Sequence, residues 1–128
     1  MLFRSKVADK MNPIPIWGDG MELRDLLYID DFINALQTVM ENENEMFEVY
    51  NVGSNNVYSV LEVLNKMKKI ANYDAPIEFV QNKPSMIPTR RIDSNKFMSK
   101  FNWQPKIYLE EGLKITYDWY LNNKKEFE

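Results

Sequence analysis

The spacing of hydrophobic residues at the start of the chain predicts a helix followed by two strands. Apolar side chains recur at helical spacing over residues 1–11, and Asn12-Pro13 is expected to end that helix. Residues 14–17 are typical of an edge strand, because Pro15 cannot donate a hydrogen bond on its outer side. After a glycine turn, the apolar run over residues 23–29 predicts a second strand.

The next segment predicts another helix and a third strand. Asp30 and Asp31 stand where a helix N-cap and a first-turn acid belong. The apolar residues that follow at helical spacing are Ile33, Leu36, Val39 and Met40. An acidic break at 41–45 separates this helix from residues 47–52, which predict a strand ending at Gly53, where the chain is expected to turn.

The clearest helix signal begins at Ser59. Ser59 and Glu62 have the spacing of a capping box, in which each residue bonds the backbone N–H of the other. The apolar face of this helix is formed by Leu61, Leu64, Met67 and Ala71. Residues 77–80 then predict a short strand, and residues 81–91 predict a loop because they contain two prolines.

The carboxyl-terminal part predicts two further helices. Asp93 can cap a short helix that runs to Phe101, and Asn102 suits the left-handed position that ends it. The last helix is expected over residues 109–122, with an inward face of Leu113, Tyr117, Tyr120 and Leu121. No repeat or linker interrupts the pattern, so residues 1–128 are interpreted as one small α/β domain of short strands and about five helices.

Composition excludes several classes of function. The chain has no cysteine and no histidine, which removes disulfides, triad hydrolases and the usual zinc sites, so no metal ligand is predicted. The net charge of -3 argues against nucleic-acid binding, which needs a basic face. The absence of a long apolar run or leader argues against a membrane partner and for a cytoplasmic location. A small anionic ligand is compatible, since it needs only a few placed cations.

Six motifs follow one another in a specific order. They are, in chain order, Trp17-Gly18-Asp19-Gly20, Arg24-Asp25, Tyr28-Ile29-Asp30-Asp31, Tyr50-Asn51-Val52-Gly53, Lys83-Pro84 to Pro88 to Asp93, and Trp103-Gln104-Pro105 to Glu111-Gly112-Leu113. In this order the chain resembles the carboxyl-terminal part of the NAD(P)-dependent nucleotide-sugar epimerases and dehydratases, which are extended short-chain dehydrogenase/reductases. The resemblance covers nearly the whole chain and implies that residues 1–128 bind a nucleotide-diphosphate sugar.

The resemblance implies five substrate-binding residues. They are Ile16, Trp17, Arg24, Lys83 and Arg90. It places the Trp17 ring, with Ile16 beside it in the strand, against the nucleotide base, where stacking on an aromatic side chain is tolerant of base identity. The alternative for Trp17 is a buried side chain that closes the edge of the domain.

The cations among these residues point to a diphosphate. The resemblance assigns Arg24 and Lys83 to the diphosphate, and the planar fork of an arginine matches such an anion. The alternative for Arg24 is an ion pair with Asp19 or Asp25. Arg90 is a further cation in the same loop as Lys83, and the alternative for it is full solvation.

The residues that carry the chemistry of this family are not encoded. The resemblance implies NAD or NADP for the complete enzyme, with a glycine-rich turn for the dinucleotide and a Tyr-x-x-x-Lys pair for proton transfer. The four glycines lack the required spacing, and the single Tyr-x-x-x-Lys match, Tyr120 to Lys124, is attributed to chance. We therefore predict no catalytic and no cofactor-binding residue, and interpret the chain as a substrate-binding portion without its Rossmann half.

A non-catalytic interaction or assembly module derived from the same family is the alternative function. The surface that would meet a Rossmann domain, residues 26–40 and 47–52, is apolar enough to bind a partner. We expect this surface to support self-association that buries Ile29, Ile33, Val49 or Val52. The alternative is a compact monomer whose terminal helices cover the surface.

Overall fold

The computed structural model describes residues 3–80 and 87–126, and within those ranges it has five α-helices and five short strands. The helices are α1 (Phe3–Ala8), α2 (Ile29–Asn42), α3 (Val60–Ile70), α4 (Asn95–Phe101) and α5 (Leu109–Asn123), and a 3-10 turn follows at Lys124–Glu126. The strands are β1 (Ile14–Trp17), β2 (Leu23–Asp25), β3 (Val57–Ser59), β4 (Ile77–Val80) and β5 (Thr89–Arg90). The mixed α/β class predicted from the sequence is confirmed.

The strands form two small sheets. β1 and β4 pair in parallel, from Ile14 opposite Ile77 to Trp17 opposite Val80. In the second sheet β2 lies in the middle, antiparallel to β3 and parallel to β5. The sequence pattern does not indicate β3 or β5, because strands of two or three residues are too short to show a period.

The larger hydrophobic cluster is built from α1, α3, α5 and the β1–β4 sheet. Its buried members are Val7, Ile14, Ile16, Val63, Leu64, Met67, Ala75, Leu109 and Leu113. The entry into α3 is fixed as predicted, since Ser59 Oγ accepts from the Glu62 N–H and the Glu62 carboxylate accepts from the Ser59 N–H. The capping box thus directs the apolar face of α3 into this cluster.

A smaller cluster joins α2 to α4. Its buried members are Ala35, Phe97 and Trp103. The Phe97 ring centroid lies 5.0 Å from that of Phe101 and 5.2 Å from that of Trp103, so the contact is a packed group of aromatic rings. The Trp103 indole N–H donates to Asn34 Oδ1 over 2.9 Å, which satisfies the one polar atom that the ring carries into this region.

Asp31 holds the beginning of α2 in place. Its buried carboxylate accepts the backbone N–H groups of Lys106 at 3.0 Å and of Ile107 at 2.9 Å. The predicted N-cap role is wrong, because the N-cap is Tyr28, whose side chain makes no capping bond. The predicted first-turn position is confirmed, since both acids lie in the first turn. Acids in the first turn still interact favourably with the helix dipole.

The first helix ends earlier than the sequence pattern predicts. α1 stops at Ala8, ahead of the proline, because Lys10 takes a left-handed conformation with φ 53°. The Lys10 N–H donates to Val7 O and the Met11 N–H donates to Lys6 O, which closes the helix end.

Two of the predicted strands differ in the structure. β2 ends at Asp25, because its antiparallel partner β3 runs only from Val57 to Ser59. The strand predicted over residues 47–52 is wrong, since this segment joins no sheet among the described residues. Tyr50 packs against the smaller cluster, and Lys96 Nζ donates to the Val49 carbonyl in place of a neighbouring strand.

The carboxyl-terminal helices follow the prediction with two exceptions. The N-cap of α4 is Ser94 and not the predicted Asp93, although Asp93 Oδ1 accepts the Asn95 N–H. Asn102 has the predicted left-handed conformation that ends this helix. In α5 the inward position assigned to Leu121 is wrong, because this side chain is 47% exposed. None of the helices in the described part of the chain combines the length and apolar character needed to cross a bilayer.

Candidate functional site

The structure brings Arg24 and Arg90 together on neighbouring strands. Arg24 is the middle residue of β2, and its partner in the parallel register with β5 is Arg90. Residues opposite each other in adjacent strands project from the same face of a sheet. Two guanidinium groups therefore rise side by side from the three-stranded sheet, and the sequence alone does not place them there.

The Arg24 side chain is oriented by backbone carbonyl groups. Its Nη1 atom donates to Leu23 O at 2.7 Å and to Ile87 O at 2.9 Å, which uses both Nη1 hydrogens. The Nε and Nη2 hydrogens form the other edge of the guanidinium, which is the edge that engages an oxyanion in a bidentate manner. Arg24 is half-buried, so its stem is held in place, and the edge formed by Nε and Nη2 is the one that can engage an anion.

Arg24 does not form an ion pair with Asp19 or Asp25, which is the alternative to a role in anion binding. Asp19 Oδ1 accepts the Met21 N–H, and Asp25 Oδ1 accepts from Ser54. No carboxylate of the described residues forms an ion pair with Arg24. A cation that is positioned without a carboxylate partner is suited to an anionic ligand.

The structure gives a different result for each of the other four predicted residues. Arg90 is exposed beside Arg24, whereas Lys83 lies outside the described residues. Trp17 is 54% exposed at the end of β1, so it does not close the edge of the domain as a buried side chain. Its neighbour Ile16 is only 3% exposed and packs in the larger cluster, so its side chain is a core residue and not the lining of a surface site.

The turn between β1 and β2 connects Trp17 to the arginine pair. Gly18 and Gly20 both have positive φ, 72° and 75°, which a residue without Cβ adopts readily. A Cβ at Gly20 would lie 2.9 Å from the Ile16 side chain and 3.3 Å from that of Leu61. The turn is therefore packed closely on the first turn of α3, and this fixes where β2 and Arg24 begin.

Glu43, the residue that follows α2, forms an ion pair with Lys100 of α4 and a hydrogen bond with Tyr50. Lys100 donates to both carboxylate oxygens of Glu43, and the Tyr50 hydroxyl donates to Glu43 Oε2. The hydrogen bond from Lys100 and then that from Tyr50 lower the pKa of Glu43 to about 2. Correspondingly, the hydrogen bond to Glu43 raises the pKa of Lys100.

The outward face of α2 is apolar. Its large exposed side chains are Ile29, Phe32, Ile33, Leu36 and Met40, which recur at helical spacing. The segment that follows adds three more, namely Met46, Phe47 and Val49. The terminal helices do not cover Ile33 or Val49, whereas Val52 is half-buried against the smaller cluster.

The single Tyr-x-x-x-Lys match lies in a structural contact. The Tyr120 hydroxyl lies 3.2 Å from Asp9 Oδ1, and Lys124 Nζ lies 2.8 Å from the same oxygen. Both side chains thus tie the end of α5 to the end of α1, away from the three-stranded sheet. No group of three or more acidic residues in the described ranges could hold a metal ion.

Comparison with known proteins gives consistent matches over most of the chain. The family model described as GDP-mannose 4,6 dehydratase matches residues 1–116. GDP-L-fucose synthase 1 of Arabidopsis thaliana is 32% identical over 121 residues, which cover 94% of this chain and 37% of that protein.

Two solved structures show the same fold. The dTDP-glucose 4,6-dehydratase of Bacillus anthracis, in complex with NAD, has a TM-score of 0.84 and 29% identity, over 97% of this chain and 39% of that one. The UDP-glucose 4-epimerase of Thermotoga maritima, with UDP-glucose, has a TM-score of 0.82 and 29% identity, over 98% and 39% of the two chains. The present chain spans less than half the length of each of these three proteins.

Proposed function

The chain belongs to the family of NAD-dependent nucleotide-sugar epimerases and dehydratases, and on that basis we propose that it binds a nucleotide-diphosphate sugar. The register partnership of Arg24 with Arg90 is the observation that carries this proposal. Two adjacent guanidinium groups without a carboxylate partner favour an anion with several oxygens, and a diphosphate is such an anion. The UDP-glucose held by the Thermotoga maritima relative belongs to the same chemical class.

Within this site four of the five predicted residues have separate tasks, and Ile16 has none. Arg24 grips the diphosphate through its Nε and Nη2 edge, and Arg90 adds a second cation on the same face. Trp17 offers an exposed ring on which the base can stack, which is worth about 1–3 kcal/mol in single-strand nucleic-acid sites. Lys83 is proposed as a third cation on the strength of the family resemblance alone.

The proposed binding is tested by calorimetric titration of the chain with GDP, UDP and dTDP. Saturable binding of at least one of them supports the proposal, and inorganic pyrophosphate shows how much of the affinity belongs to the diphosphate. Absence of binding of all three nucleotides at millimolar concentration contradicts it. Adenosine is the control ligand, since it carries a base and no phosphate.

NAD is proposed as the cofactor of the complete enzyme, as the Bacillus anthracis relative holds it. The present sequence contains no glycine fingerprint for the dinucleotide, and its Tyr120–Lys124 pair is bound to Asp9. We therefore expect the chain by itself to show no NAD(P)-dependent epimerase, dehydratase or reductase activity. Turnover by a preparation free of host enzymes would contradict this expectation.

The exposed face of α2 favours a second candidate function, assembly through this face with another copy of the chain. The chain exposes 8992 Å², whereas a compact monomer of 15.3 kDa exposes about 7100 Å² by the scaling of surface with mass. The excess is larger than the roughly 800 Å² that each partner buries in a standard interface. We propose that Ile29, Ile33 and Val49 lie at this contact.

Light scattering over a concentration series tests the assembly. α2 contains acidic residues and no lysine or arginine, so two copies meeting through it repel, and added salt should tighten the association. Ile33→Lys should abolish it, whereas Ile115→Lys on α5, where the side chain is 38% exposed, is the matched control. A monomer mass at high protein concentration and high salt would contradict the second candidate without affecting the first.

A further inference from the structure

The strand that carries Arg90 is too short to hold its own position. β5 consists of Thr89 and Arg90 alone, and it lies at the edge of its sheet with β2 as its one neighbour in the described chain. Two residues form few ladder hydrogen bonds, and register is weakly specified where a strand is short and exposed. The lateral spacing of Arg24 and Arg90 must therefore be fixed by contacts outside the ladder.

Contacts at the start of β5 come from β2 directly. The Leu23 N–H donates to the Pro88 carbonyl over 2.8 Å, and Arg24 Nη1 donates to the Ile87 carbonyl over 2.9 Å. Both bonds hold the residues that precede β5. Neither bond reaches the other end of the strand, where the chain continues from Arg90 towards α4.

The far end of β5 is held through a bridge made of residues 53–55. On one side Asp25 Oδ1 accepts the Ser54 N–H at 2.9 Å and the Ser54 hydroxyl at 2.7 Å. On the other side the Gly53 N–H donates to Ser94 Oγ at 2.6 Å, and Asn55 Oδ1 accepts the Ser94 N–H at 3.0 Å. The bridge thus connects the residue after Arg24 to a residue four positions after Arg90.

The bridge is closely packed as well as hydrogen-bonded. Ser94 is fully buried, and Gly53 is buried between the two segments that it joins. A Cβ at Gly53 would lie 2.8 Å from Asp25 Oδ2 and 2.8 Å from Ile92 Cβ, so the backbone of Gly53 touches both sides. Asp25 Oδ2 is itself buried without a hydrogen-bond partner among the described groups, which is tolerated because Oδ1 takes both bonds from Ser54.

We infer that Asp25 is a positioning residue, which acts through Ser54 and Ser94 to hold Arg90 in register with Arg24. The inference rests on the proposed function, since the positioned arginines matter only if they bind an anion. Asp25 itself does not touch the ligand. Loss of its carboxylate removes both bonds that hold Ser54 to β2. The far end of β5 then loses its connection to β2 through the bridge, and Arg90 departs from the geometry in which both guanidinium groups reach one diphosphate.

The test compares Asp25→Ala with Asp31→Ala. Asp31 is a matched control, because it is also an aspartate that accepts two hydrogen bonds and it lies in α2, outside the three-stranded sheet. Two quantities are measured at a temperature where both variants are folded. They are the amide exchange rate of Ser94, whose N–H donates to Asn55 Oδ1 and so reports how the far end of β5 is attached to the bridge without any ligand, and the dissociation constant for the tighter of GDP and UDP.

We expect Asp25→Ala to accelerate Ser94 exchange more than Asp31→Ala does, when the two variants are compared at temperatures equally far below their melting temperatures. We also expect it to weaken nucleotide binding about tenfold, the size of one lost charge-assisted contact. In the Arg90→Ala background the same change should weaken binding far less, because the contact that Asp25 positions is already gone. Asp31→Ala should leave the dissociation constant unchanged.

Two outcomes overturn the inference. One is equal Ser94 exchange in the two aspartate variants, and the other is an effect of Asp25→Ala on binding that is the same with and without Arg90. If the wild-type chain binds neither nucleotide, the proposed function fails and the Ser94 exchange alone decides the role of Asp25. If Asp25→Ala does not fold, Ser94→Ala cuts the same bridge at its other end and is read in the same way.

Discussion

Lys100 Nζ lies 2.8 Å from Glu43 Oε2, and this ion pair connects the end of α2 to the last turn of α4. The Glu43 side chain is 11% exposed and that of Lys100 is 37% exposed. The pair lies beside the aromatic rings of the smaller cluster, since Lys100 Nζ is 5.5 Å from the centroid of the Tyr50 ring. The pair therefore links the stability of this part of the chain to pH.

The Glu43 carboxylate should make stability fall in acid. Its pKa is lowered from 4.5 to about 2 in the folded chain, chiefly by the hydrogen bond from Lys100. A depressed pKa contributes stability that is complete above pH 4.5 and is lost as pH falls towards 2. The melting temperatures of wild type and Glu43→Gln should thus differ at pH 6 and converge near pH 2. Glu41→Gln, at an exposed acid in the last turn of α2, is the matched control and should leave the melting temperature at pH 6 close to that of wild type.

Arg24→Ala should weaken nucleotide binding tenfold or more, because a charge-assisted contact contributes about 1.5–3 kcal/mol. Arg24→Lys should recover only part of this loss, since lysine keeps the charge but not the planar fork. Titration calorimetry with UDP and GDP measures both. Arg91→Ala is the matched control, because Arg91 follows the last residue of β5 and has no register partner in β2. An equal loss in Arg91→Ala would show that the arginines act through net charge and not through position.

Gly53→Ala should destabilise the chain by about 1–3 kcal/mol, the usual cost of added volume in a packed site. The added Cβ would lie 2.8 Å from both Asp25 Oδ2 and Ile92 Cβ. Asp25 is held in β2, and Ile92 lies between β5 and the buried Ser94. Gly112→Ala is the comparison, since its Cβ would lie 3.1 Å from the Tyr28 ring and alanine favours the helix. Urea denaturation of the two variants measures the difference. Equal stability of both variants would mean that residues 53–55 can shift freely.

Phe97→Ala should destabilise the chain by about 3–5 kcal/mol, because this ring is fully buried among other aromatic rings. Phe47→Ala should change stability by less than about 0.5 kcal/mol, since this side chain is 85% exposed. Urea denaturation followed by tyrosine and tryptophan fluorescence measures both. A large loss in Phe47→Ala would indicate that residues 47–52 are packed, as the strand prediction implies.

Local signals in the sequence predicted local structure well. The Ser59–Glu62 capping box and the left-handed Asn102 depend on residues within one helical turn, and both are confirmed. The strand predicted over residues 47–52 depends on a partner elsewhere in the chain, and alternation alone does not supply one. Arg24 could be singled out because it interrupts an apolar run. The register pairing of Arg24 with Arg90 could not be predicted, because the register of a two-residue strand has no local signal in the sequence.

The division of the interior into two clusters has a consequence for how the chain opens. Proteins unfold locally in contiguous cooperative units, and each cluster here defines one such unit. Leu26 packs against the larger cluster and Leu27 against the smaller one, so consecutive residues belong to different units. The peptide that joins these two leucines therefore couples the opening of one unit to the opening of the other. A ligand held at Arg24, two residues earlier, would therefore raise the opening free energy of both units together.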